Sequence, residues 1–335
     1  MGDPSVAADT TMDTPTDDGA PMDVDAQKDA GACVDGDPFA VANLRKDLKY
    51  LASKELDGRK PGTPGDVAAR KYIEKRFRCL GLVPGGTDGS YFQAVTNTKG
   101  EKTANVIALL PGSDPDVGSE IVGMGAHMDH FGNGRLGAND NASGTTTVLA
   151  AAQAFKQLAK PPKRTIAFFL WASEEVSYDG SVHFVKHPTE IKRLPLSKFV
   201  YYINFDMVGS YTSNGKEVDA CGTVGTTPAL PLMRDLLPSQ HGLNVNIEIP
   251  GYGSDDSDYY PFCKAGVPFV GFEMDDPPCY HKKCDTEDRI DYPNMVRVSK
   301  LATDLVRQLA DTTTDLAEYR RKAKVSDLGC GKDDD

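Results

Sequence analysis

Five side chains of metal-ligand type stand out in the sequence, most of them just past an apolar run. They are His127, Asp140, Glu175, Asp206 and His281. Imidazole nitrogens and carboxylate oxygens are donors that zinc accepts, and a pair of zinc ions would need a set of this kind. Such a pair activates a water molecule and polarises a substrate oxygen. None of these residues indicates a metal site by itself, so the prediction of metal-assisted hydrolysis requires that the fold bring them together.

The segment IVGMGAHMDHFGNGRLGANDNASG, residues 121–144, holds the first two of these positions. Asp129 lies two residues after His127, on the same side of an extended chain, where its carboxylate could hold the ring nitrogen that a metal leaves free. Asp140 follows in a stretch whose glycines and asparagines permit unusual backbone angles before a helix begins. Its two oxygens could bridge two cations, although an ordinary helix-capping aspartate is a strong local alternative.

Two adjacent acids, Glu174 and Glu175, follow the apolar run RTIAFFLWAS. Neighbouring carboxylates raise each other's pKa unless a cation lies near, so one could bind metal while the other moves protons. A solvated surface pair is the alternative. Asp206 closes the run KFVYYINF, where an unpartnered carboxylate would be costly to bury, and His281 lies in CYHKKCDTED. The other histidines have no comparable setting and are expected to be surface or capping residues: His130, His183, His187 and His241.

Apolar runs of strand length alternate with helical patterns through most of the chain. Strands are predicted at 104–110, 120–126, 164–171, 198–205, 217–223, 244–249 and 267–272. Helices are predicted at 39–56, 64–80, 143–159, 178–187, 228–237, 257–265 and 293–314. The first would begin at the pair Asp37-Pro38 and the second at Thr63-Pro64. This alternation favours an α/β fold, a single domain with a largely parallel central sheet between helical layers, whose carboxyl edge would gather the ligands.

Charge and composition separate a neutral body from two acidic ends. The formal charge of the 335 residues is −12, of which residues 1–38 contribute −9 and residues 325–335 contribute −3. We expect a disordered acidic leader at 1–36, a single domain at 37–320 and a flexible acidic tail at 321–335. A neutral body implies no nucleic-acid partner. No run approaches the roughly 18 apolar residues of a membrane-spanning helix.

Seven cysteines bear on the compartment in which the protein works. Cys279 and Cys284 flank His281 at a spacing that could close a short disulfide loop, although two free thiols are the alternative. The others cannot be paired from sequence: Cys33, Cys79, Cys221, Cys263 and Cys330. A disulfide would suit a secreted, periplasmic or surface-tethered protein. Because no apolar signal-peptide core is present at the start, an export signal would already have been removed.

Five motifs resemble, in order and spacing, those of the M28 family of dizinc peptidases, which includes bacterial secreted aminopeptidases. They are HMD, GANDNASG, EEVSYDGS, NFDMVG and YH…DT, and the similarity covers roughly residues 40–312. The resemblance implies one α/β domain with a mixed sheet, of the zinc-dependent exopeptidase type, with two Zn²⁺ per chain. It also implies a sharp bend after the bridging aspartate, so we expect a cis peptide bond between Asp140 and Asn141.

The family's roles can be carried over to matching positions of this chain. The resemblance implies the following ligands: His127 and Asp206 for one zinc, Glu175 and His281 for the second, and Asp140 for both. Asp129 would orient His127, and Glu174 would be the general base. Every ligand position is filled by the expected residue type, which argues against an inactive relative.

The resemblance is less specific about the substrate. An oxyanion-stabilising tyrosine is expected near GYGSDDSDYYPF, with Tyr252 as the candidate and Tyr259 or Tyr260 as alternatives. The pocket for the first side chain would be lined by Met207, Val270, Phe272 and Tyr280. These side chains favour an apolar N-terminal residue. We expect an aminopeptidase that acts on peptide or protein N-termini, and we expect it to be a monomer. A carboxypeptidase, a glutaminyl cyclase or a non-catalytic peptide-binding module on the same scaffold are the alternatives.

Overall fold

The computed structural model describes residues 36–209, 217–222, 242–248, 256–273, 278–322, 328 and 330. The predicted leader lies outside these residues except for residue 36, as does most of the predicted tail. The helix predicted at 228–237 also lies outside the described residues. Among the helices that are described, none is both long and apolar enough to cross a membrane.

Nine strands of the described residues form one mixed sheet. They are β1 Val83–Pro84, β2 Phe92–Thr96, β3 Lys102–Leu110, β4 Ile121–His127, β5 Thr165–Trp171, β6 Phe199–Asp206, β7 Glu217–Gly222, β8 Asn244–Glu248 and β9 Phe269–Glu273. Their order is β1-β3-β5-β4-β6-β9-β7-β8, with β2 also paired to β3. The strands β5, β4, β6 and β9 run parallel, whereas β3 and β7 are antiparallel to β5 and β9. The predicted α/β fold with a largely parallel central sheet is confirmed.

All seven predicted strands are present, with ends within two residues of the predicted ones. Two further strands, β1 and β2, pair antiparallel with β3 and were not predicted from the sequence. β1 is only two residues long, and β2 is a five-residue strand whose alternation of buried and exposed positions is brief. Neither gives a periodicity that stands out from a loop.

Eight α-helices lie within the described residues. They are α1 Val41–Leu51, α2 Pro64–Cys79, α3 Gly144–Lys156, α4 Glu174–Ser177, α5 Asp179–Lys186, α6 Tyr259–Lys264, α7 Tyr292–Asp311 and α8 Leu316–Lys322. α2 begins as predicted, because Thr63 Oγ1 accepts a hydrogen bond from the Asp66 backbone N–H at 3.4 Å. Pro64 suits the first turn, where its missing N–H would have no helical partner.

The predicted start of α1 is wrong. Asp37 Oδ1 accepts a hydrogen bond from the Phe39 backbone N–H at 2.9 Å, which closes a turn ahead of the helix. Ala40 is the N-cap and makes no side-chain capping bond. The helix also ends early, at Leu51, and a 3₁₀ segment follows at Lys54–Arg59.

Helices cover both faces of the sheet, because alternate residues of the central strands point to opposite sides. On β5, Phe168 packs in one buried cluster with residues of α2, α3 and α7. Its neighbour Phe169 packs in a second cluster with residues of α5 and α6. The sheet therefore lies between helical layers, as predicted, and its central strands are mostly apolar because neither face meets water.

Two disulfides join described cysteines to each other. Cys279–Cys284 is present as predicted and closes the loop that contains His281. Cys263–Cys330 links α6 to the end of the described chain. Cys79 is disulfide-bonded as well.

Candidate metal centre

Three parallel strands deliver predicted site residues to one edge of the sheet. β4 ends at His127 and β6 at Asp206, while β5 ends at Trp171, shortly before Glu174. Because β5, β4 and β6 are adjacent and parallel, their carboxyl ends meet. His127 Nε2 consequently lies 3.1 Å from Asp206 Oδ1, although the two residues are 79 apart in the chain.

We refer to His127, Asp140 and Asp206 as the inner group. His127 Nε2 lies 3.3 Å from Asp140 Oδ1 and 3.1 Å from Asp206 Oδ1. All three residues are buried, so these donor atoms converge away from bulk solvent. Ser257 Oγ donates a hydrogen bond to Asp206 Oδ2 at 2.6 Å. This contact orients the carboxylate and leaves its other oxygen facing the histidine.

We refer to Asp140, Glu175, His281 and His130 as the outer group. Asp140 Oδ2 lies 3.3 Å from His281 Nε2 and 3.6 Å from His130 Nδ1. His281 Nε2 is also 3.3 Å from Glu175 Oε2, and His130 Nδ1 is within hydrogen-bonding distance of Glu175 Oε1. The two oxygens of Asp140 thus face different groups, as a bridging carboxylate would require.

The expectation that His130 is a surface or capping residue is wrong. Its side chain is completely buried, between Asp140 and Glu175 of the outer group. The residue lies just past the end of β4, where the chain turns and strand alternation no longer predicts the direction of a side chain. A third polar residue in the run His127-Met128-Asp129-His130 was the available signal.

The loop around Asp140 is held by hydrogen bonds from two neighbouring segments. The Asp285 carboxylate accepts from the backbone N–H groups of Asn139 and Asp140 at 2.7 and 3.0 Å. Asn141 Nδ2 donates to the carbonyl oxygen of Phe205 at 2.8 Å. The expected cis peptide bond between Asp140 and Asn141 is present. The position of Asp140 is therefore fixed by the backbone and by contacts to β6 and the 278–291 loop.

Asp129 lies behind the inner group, but its contacts differ from those expected. Its Oδ1 is 3.9 Å from His127 Nδ1, too long for a hydrogen bond, whereas its backbone carbonyl oxygen is 3.2 Å from that nitrogen. The carboxylate accepts instead from the Glu174 backbone N–H at 3.1 Å. The main chain of Asp129 therefore orients His127, and the side chain positions Glu174.

Burial and mutual repulsion perturb the acids of the centre. Burial raises the pKa of Glu174 well above its usual range against the opposing charge of His127, and Asp206 adds to the increase. Burial and the charge of Asp140 also raise the pKa of Glu175. Burial would likewise raise the pKa of Asp140, but hydrogen bonds from His127 and His281 lower it below its usual range. A divalent cation among these groups would favour the ionised form of each acid.

Several buried atoms of the centre have ligand capacity that the protein does not use. Within the described part of the chain, Asp129 Oδ2, Asp140 Oδ2 and His130 Nε2 are buried and have no hydrogen-bond partner with good geometry, although His281 Nε2 lies 3.3 Å from Asp140 Oδ2. The inner group has its ligand atoms within 4.8 Å of one another, and so has the trio of His130, Asp140 and Glu175. Imidazole and carboxylate donors at such spacing suit a divalent ion. The residues present therefore fit a metal centre with two positions.

Arg59, which was not predicted as a site residue, supports the loop between His127 and Asp140. Its buried guanidinium donates to the backbone carbonyls of Met128, Leu51, Leu136 and Gly137, at 2.5, 2.5, 2.9 and 2.9 Å. Burial lowers the pKa of Arg59 to about 10, against the opposing effect of nearby carboxylates. The guanidinium thereby fixes both ends of the 128–137 loop between two ligand positions. Nothing in the loop sequence LDGRKPGTPG indicated this role.

An open cavity of about 380 Å³ lies beside the outer group. Its walls include Phe131, Glu174, Glu175, Tyr178, Tyr280 and His281. Glu174 Oε2 is also 3.9 Å from His127 Nε2. This acid therefore reaches both the cavity and the inner group, where a molecule entering from solvent would meet it.

The residues predicted to line a substrate pocket are not all at this cavity. Tyr280 lines it and is 47% exposed. Val270 and Phe272 are completely buried in the core, and the ring of Phe272 stacks on Phe205. Because β9 is covered on both faces, the pocket prediction is wrong for these two residues. Met207 is half-buried just past the end of β6, with a φ of 54°.

The predicted oxyanion residue, Tyr252, lies outside the described residues. Its alternatives are placed elsewhere. Tyr259 is 1% exposed and stacks on Phe269 with ring centroids 4.7 Å apart. Tyr260 lines a separate apolar cavity with Val182 and other residues of α5 and α6. Both alternatives are therefore unsupported, and Tyr252 stays a prediction.

A mixed α/β sheet with histidines and carboxylates gathered at its carboxyl edge is the arrangement of a metallohydrolase-type protein. Comparison with known proteins identifies the family. The model of peptidase family M28 matches residues 105–306, more than half of the chain, and the chain belongs to this family. The resemblance carried by the sequence motifs is confirmed.

Individual relatives share part of their length with this chain. Leupeptin-inactivating enzyme 1 of Streptomyces exfoliatus is 29% identical over 234 residues, which are 69% of this chain and 48% of that protein. Leucine aminopeptidase 2 of Trichophyton equinum is 27% identical over 261 residues, or 73% and 50%. The chain thus spans about half the length of these curated relatives. The solved structure of BSAP, a zinc aminopeptidase from Bacillus subtilis, has a TM-score of 0.67 at 17% identity, covering 88% of this chain and 99% of that chain; this likeness shows the fold.

Proposed function

We propose that this chain is a zinc-dependent aminopeptidase, which hydrolyses the N-terminal bond of peptides through a metal-activated water. The observation that carries the proposal is the position of Asp140. Its two carboxylate oxygens face separate ligand groups, beside Glu174 and an open cavity. The names of a relative and of a structural neighbour, both aminopeptidases, support the reaction class.

Two Zn²⁺ ions per chain would be held by the residues of both groups. These are His127 and Asp206 at one position, Glu175 and His281 at the other, and Asp140 at both. Bound zinc supplies a Lewis acid for the scissile carbonyl and lowers the pKa of a coordinated water. His130 touches Glu175 and Asp140, so it would hold these two carboxylates in orientation or ligate in its own right.

Glu174 would move the proton of the reaction. Its side chain lines the cavity, and it is not one of the proposed metal ligands. A carboxylate in this position can take a proton from the attacking water and pass it to the leaving amine. Asp129 would keep it in place through the hydrogen bond to the Glu174 backbone N–H. Tyr252 would stabilise the oxyanion that develops on the carbonyl.

The proposed substrate is a peptide or protein N-terminus with an apolar first residue. Phe131 and Tyr280 give the cavity aromatic walls, and one relative is named a leucine aminopeptidase. Among the described residues that line the cavity, there is no Lys or Arg to bind a terminal carboxylate, which disfavours a carboxypeptidase. A glutaminyl cyclase would use a single zinc, and the complete inner and outer groups disfavour it.

The proposed enzyme works as a monomer outside the cytoplasm. Its ligand set is complete within one chain, so catalysis requires no second copy. The disulfides Cys263–Cys330 and Cys279–Cys284 support an oxidising compartment. The proposed organisation is one peptidase domain at 37–320, between an acidic leader and an acidic tail.

Substitutions of the two adjacent glutamates test this assignment against its alternatives. Glu174→Gln keeps the shape of the side chain but cannot take a proton, so turnover should fall by about 10²–10⁴-fold while zinc stays bound at both positions. Glu175→Gln should lose zinc from one position as well as activity, since an amide is a poor substitute for an anionic ligand. The measurements are zinc per chain and hydrolysis of free-amino, amino-blocked and carboxy-terminal reporter peptides.

Each other outcome of this experiment has a definite meaning. If Glu174→Gln loses zinc while Glu175→Gln keeps it, the two roles are exchanged. If the unmodified protein cleaves only carboxy-terminal reporters, the aminopeptidase assignment is wrong. If it binds peptides but cleaves none of the panel with zinc at both positions, the chain is a binding module.

A further inference from the structure

A second cluster of ligand-type side chains lies on α5 and the loop after it, and it shares no residue with the centre described above. His183 is in α5 and His187 directly follows its last residue. The spacing of four places both on one face of the helix, and their rings stack with centroids 4.1 Å apart. Glu190 completes the cluster, with its Oε2 3.1 Å from His183 Nε2. The ligand atoms of these three residues lie within 4.8 Å of one another.

His187 has a fixed orientation that leaves one nitrogen available. Its Nδ1 lies 2.8 Å from the backbone carbonyl oxygen of His183. A carbonyl only accepts, so Nδ1 is the protonated nitrogen and Nε2 carries the lone pair in the neutral ring. A hydrogen bond from one ring nitrogen to a carbonyl is how proteins commonly prepare the other nitrogen for a metal. The ring is exposed, so an ion can reach it from solvent.

Glu190 is held in the same manner by a buried amide. Gln93 Nε2 donates to Glu190 Oε2 at 3.0 Å, and Gln93 itself is fully buried. Its Oε1 accepts from Asn105 Nδ2 at 3.0 Å, which fixes the direction of the amide. A simple surface ion pair with His183 would not need a partner anchored on β2 and β3. The carboxylate is thus oriented by the sheet, towards the histidines.

We propose that His183, His187 and Glu190 form an accessory site for one divalent transition-metal ion, of the class that includes Zn²⁺, Cu²⁺ and Ni²⁺. Two imidazoles favour these ions over Ca²⁺ and Mg²⁺, which prefer oxygen ligands. His183 would release its contact with Glu190, and both side chains would turn to the ion. Three protein ligands leave the remaining coordination to water. The ion would join the end of α5 to the following loop and, through Gln93, to the sheet, so its role would be structural.

Zinc titration of the full chain, already loaded at its main centre, tests this site. Calorimetry with Zn²⁺ as the ligand should show one further equivalent for the unmodified protein. That equivalent should be lost in His187→Gln and in Glu190→Gln and kept in Lys192→Gln, an exposed neighbour that is not a ligand. With Cu²⁺ as a second probe, the electron paramagnetic resonance spectrum should show a signal with two nitrogen ligands in the unmodified protein, and this signal should be lost in His187→Gln.

Three results would overturn the proposal. The first is that the loaded protein takes up no further zinc. The second is that the further equivalent persists unchanged in both ligand variants, which would place it elsewhere on the chain. The third is that the copper spectrum of His187→Gln keeps the nitrogen count of the unmodified protein. Circular dichroism of each variant, compared with that of Lys192→Gln, shows whether the fold is intact, and His183→Gln provides a third ligand variant if one of the others is not.

Discussion

The inner and outer groups share Asp140 but are built from different kinds of segment. His127 and Asp206 of the inner group are the last residues of two adjacent parallel strands, and both are buried. In the outer group, His281 comes from a loop closed by a disulfide, has a φ of 55° and keeps a third of its side chain exposed. The register of the sheet fixes one group, whereas cross-links and local backbone geometry fix the other.

This difference predicts unequal behaviour at the two positions. Ligands that are strand ends cannot shift without disturbing the sheet, so the inner position should hold its ion tightly. Ligands on a loop can adjust as substrate enters from the cavity, and they can also move away. We therefore expect the outer position to exchange metal more readily and to respond to changes that leave the inner position unaffected.

Replacing the shared residue should have the largest effect. In Asp140→Asn, both groups lose an anionic ligand at once, so zinc should be lost from both positions. Activity should fall by more than the roughly 10²–10⁴-fold expected from loss of a general base. Zinc analysis and peptide hydrolysis provide the measurement, with Asp288→Asn, an exposed acid of the His281 loop, as the control. Retention of one tightly bound zinc in Asp140→Asn would show that the groups do not depend equally on the shared carboxylate.

His130 tests whether the outer group has a supporting residue that the inner group lacks. Its side chain touches Glu175 and Asp140, so His130→Gln should weaken zinc binding at the outer position by about 10–100-fold, the usual effect of removing such support. Binding at the inner position should not change. Competition with a chelator gives the two binding constants, and His281→Gln identifies which of them belongs to the outer position. A change confined to the zinc-binding constant of the inner position would contradict this assignment.

The disulfide should have the smallest effect. Replacing both Cys279 and Cys284 with serine removes a short closed loop, for which chain entropy predicts a loss in the free energy of unfolding of about 2 kcal/mol or less. Because the loop carries His281, outer zinc should pass to a chelator several-fold faster than in the unmodified protein, with inner zinc unchanged. Timed zinc release measures both rates. Equal acceleration at the two positions would mean that the loop supports the whole centre.

The same difference between strand ends and loops explains which site residues could be predicted from the sequence. His127, Asp206 and the glutamate pair follow apolar runs of strand length, and a parallel sheet brings such positions together whatever the loops do. Nothing in a sequence pattern fixes the direction of His130, which lies beyond the end of a strand. The Asp129 carboxylate was expected at His127 but accepts from the Glu174 backbone N–H at 3.1 Å, while its Oδ1 lies 3.9 Å from His127 Nδ1. Such contacts depend on packing among distant segments, which the periodicity of apolar residues in a sequence does not predict.

The position of Arg59 in the chain limits how far the domain can be shortened. The stretch matched by the family model begins at residue 105, and all five predicted ligands lie within it. Yet the guanidinium that holds the loop between His127 and Asp140 comes from residue 59, which lies before it. A fragment beginning at residue 105 would contain every metal ligand and still lack the donor for the carbonyls of Met128, Leu136 and Gly137. The smallest unit that can be transplanted, truncated or fused while keeping these contacts therefore extends upstream at least to Arg59.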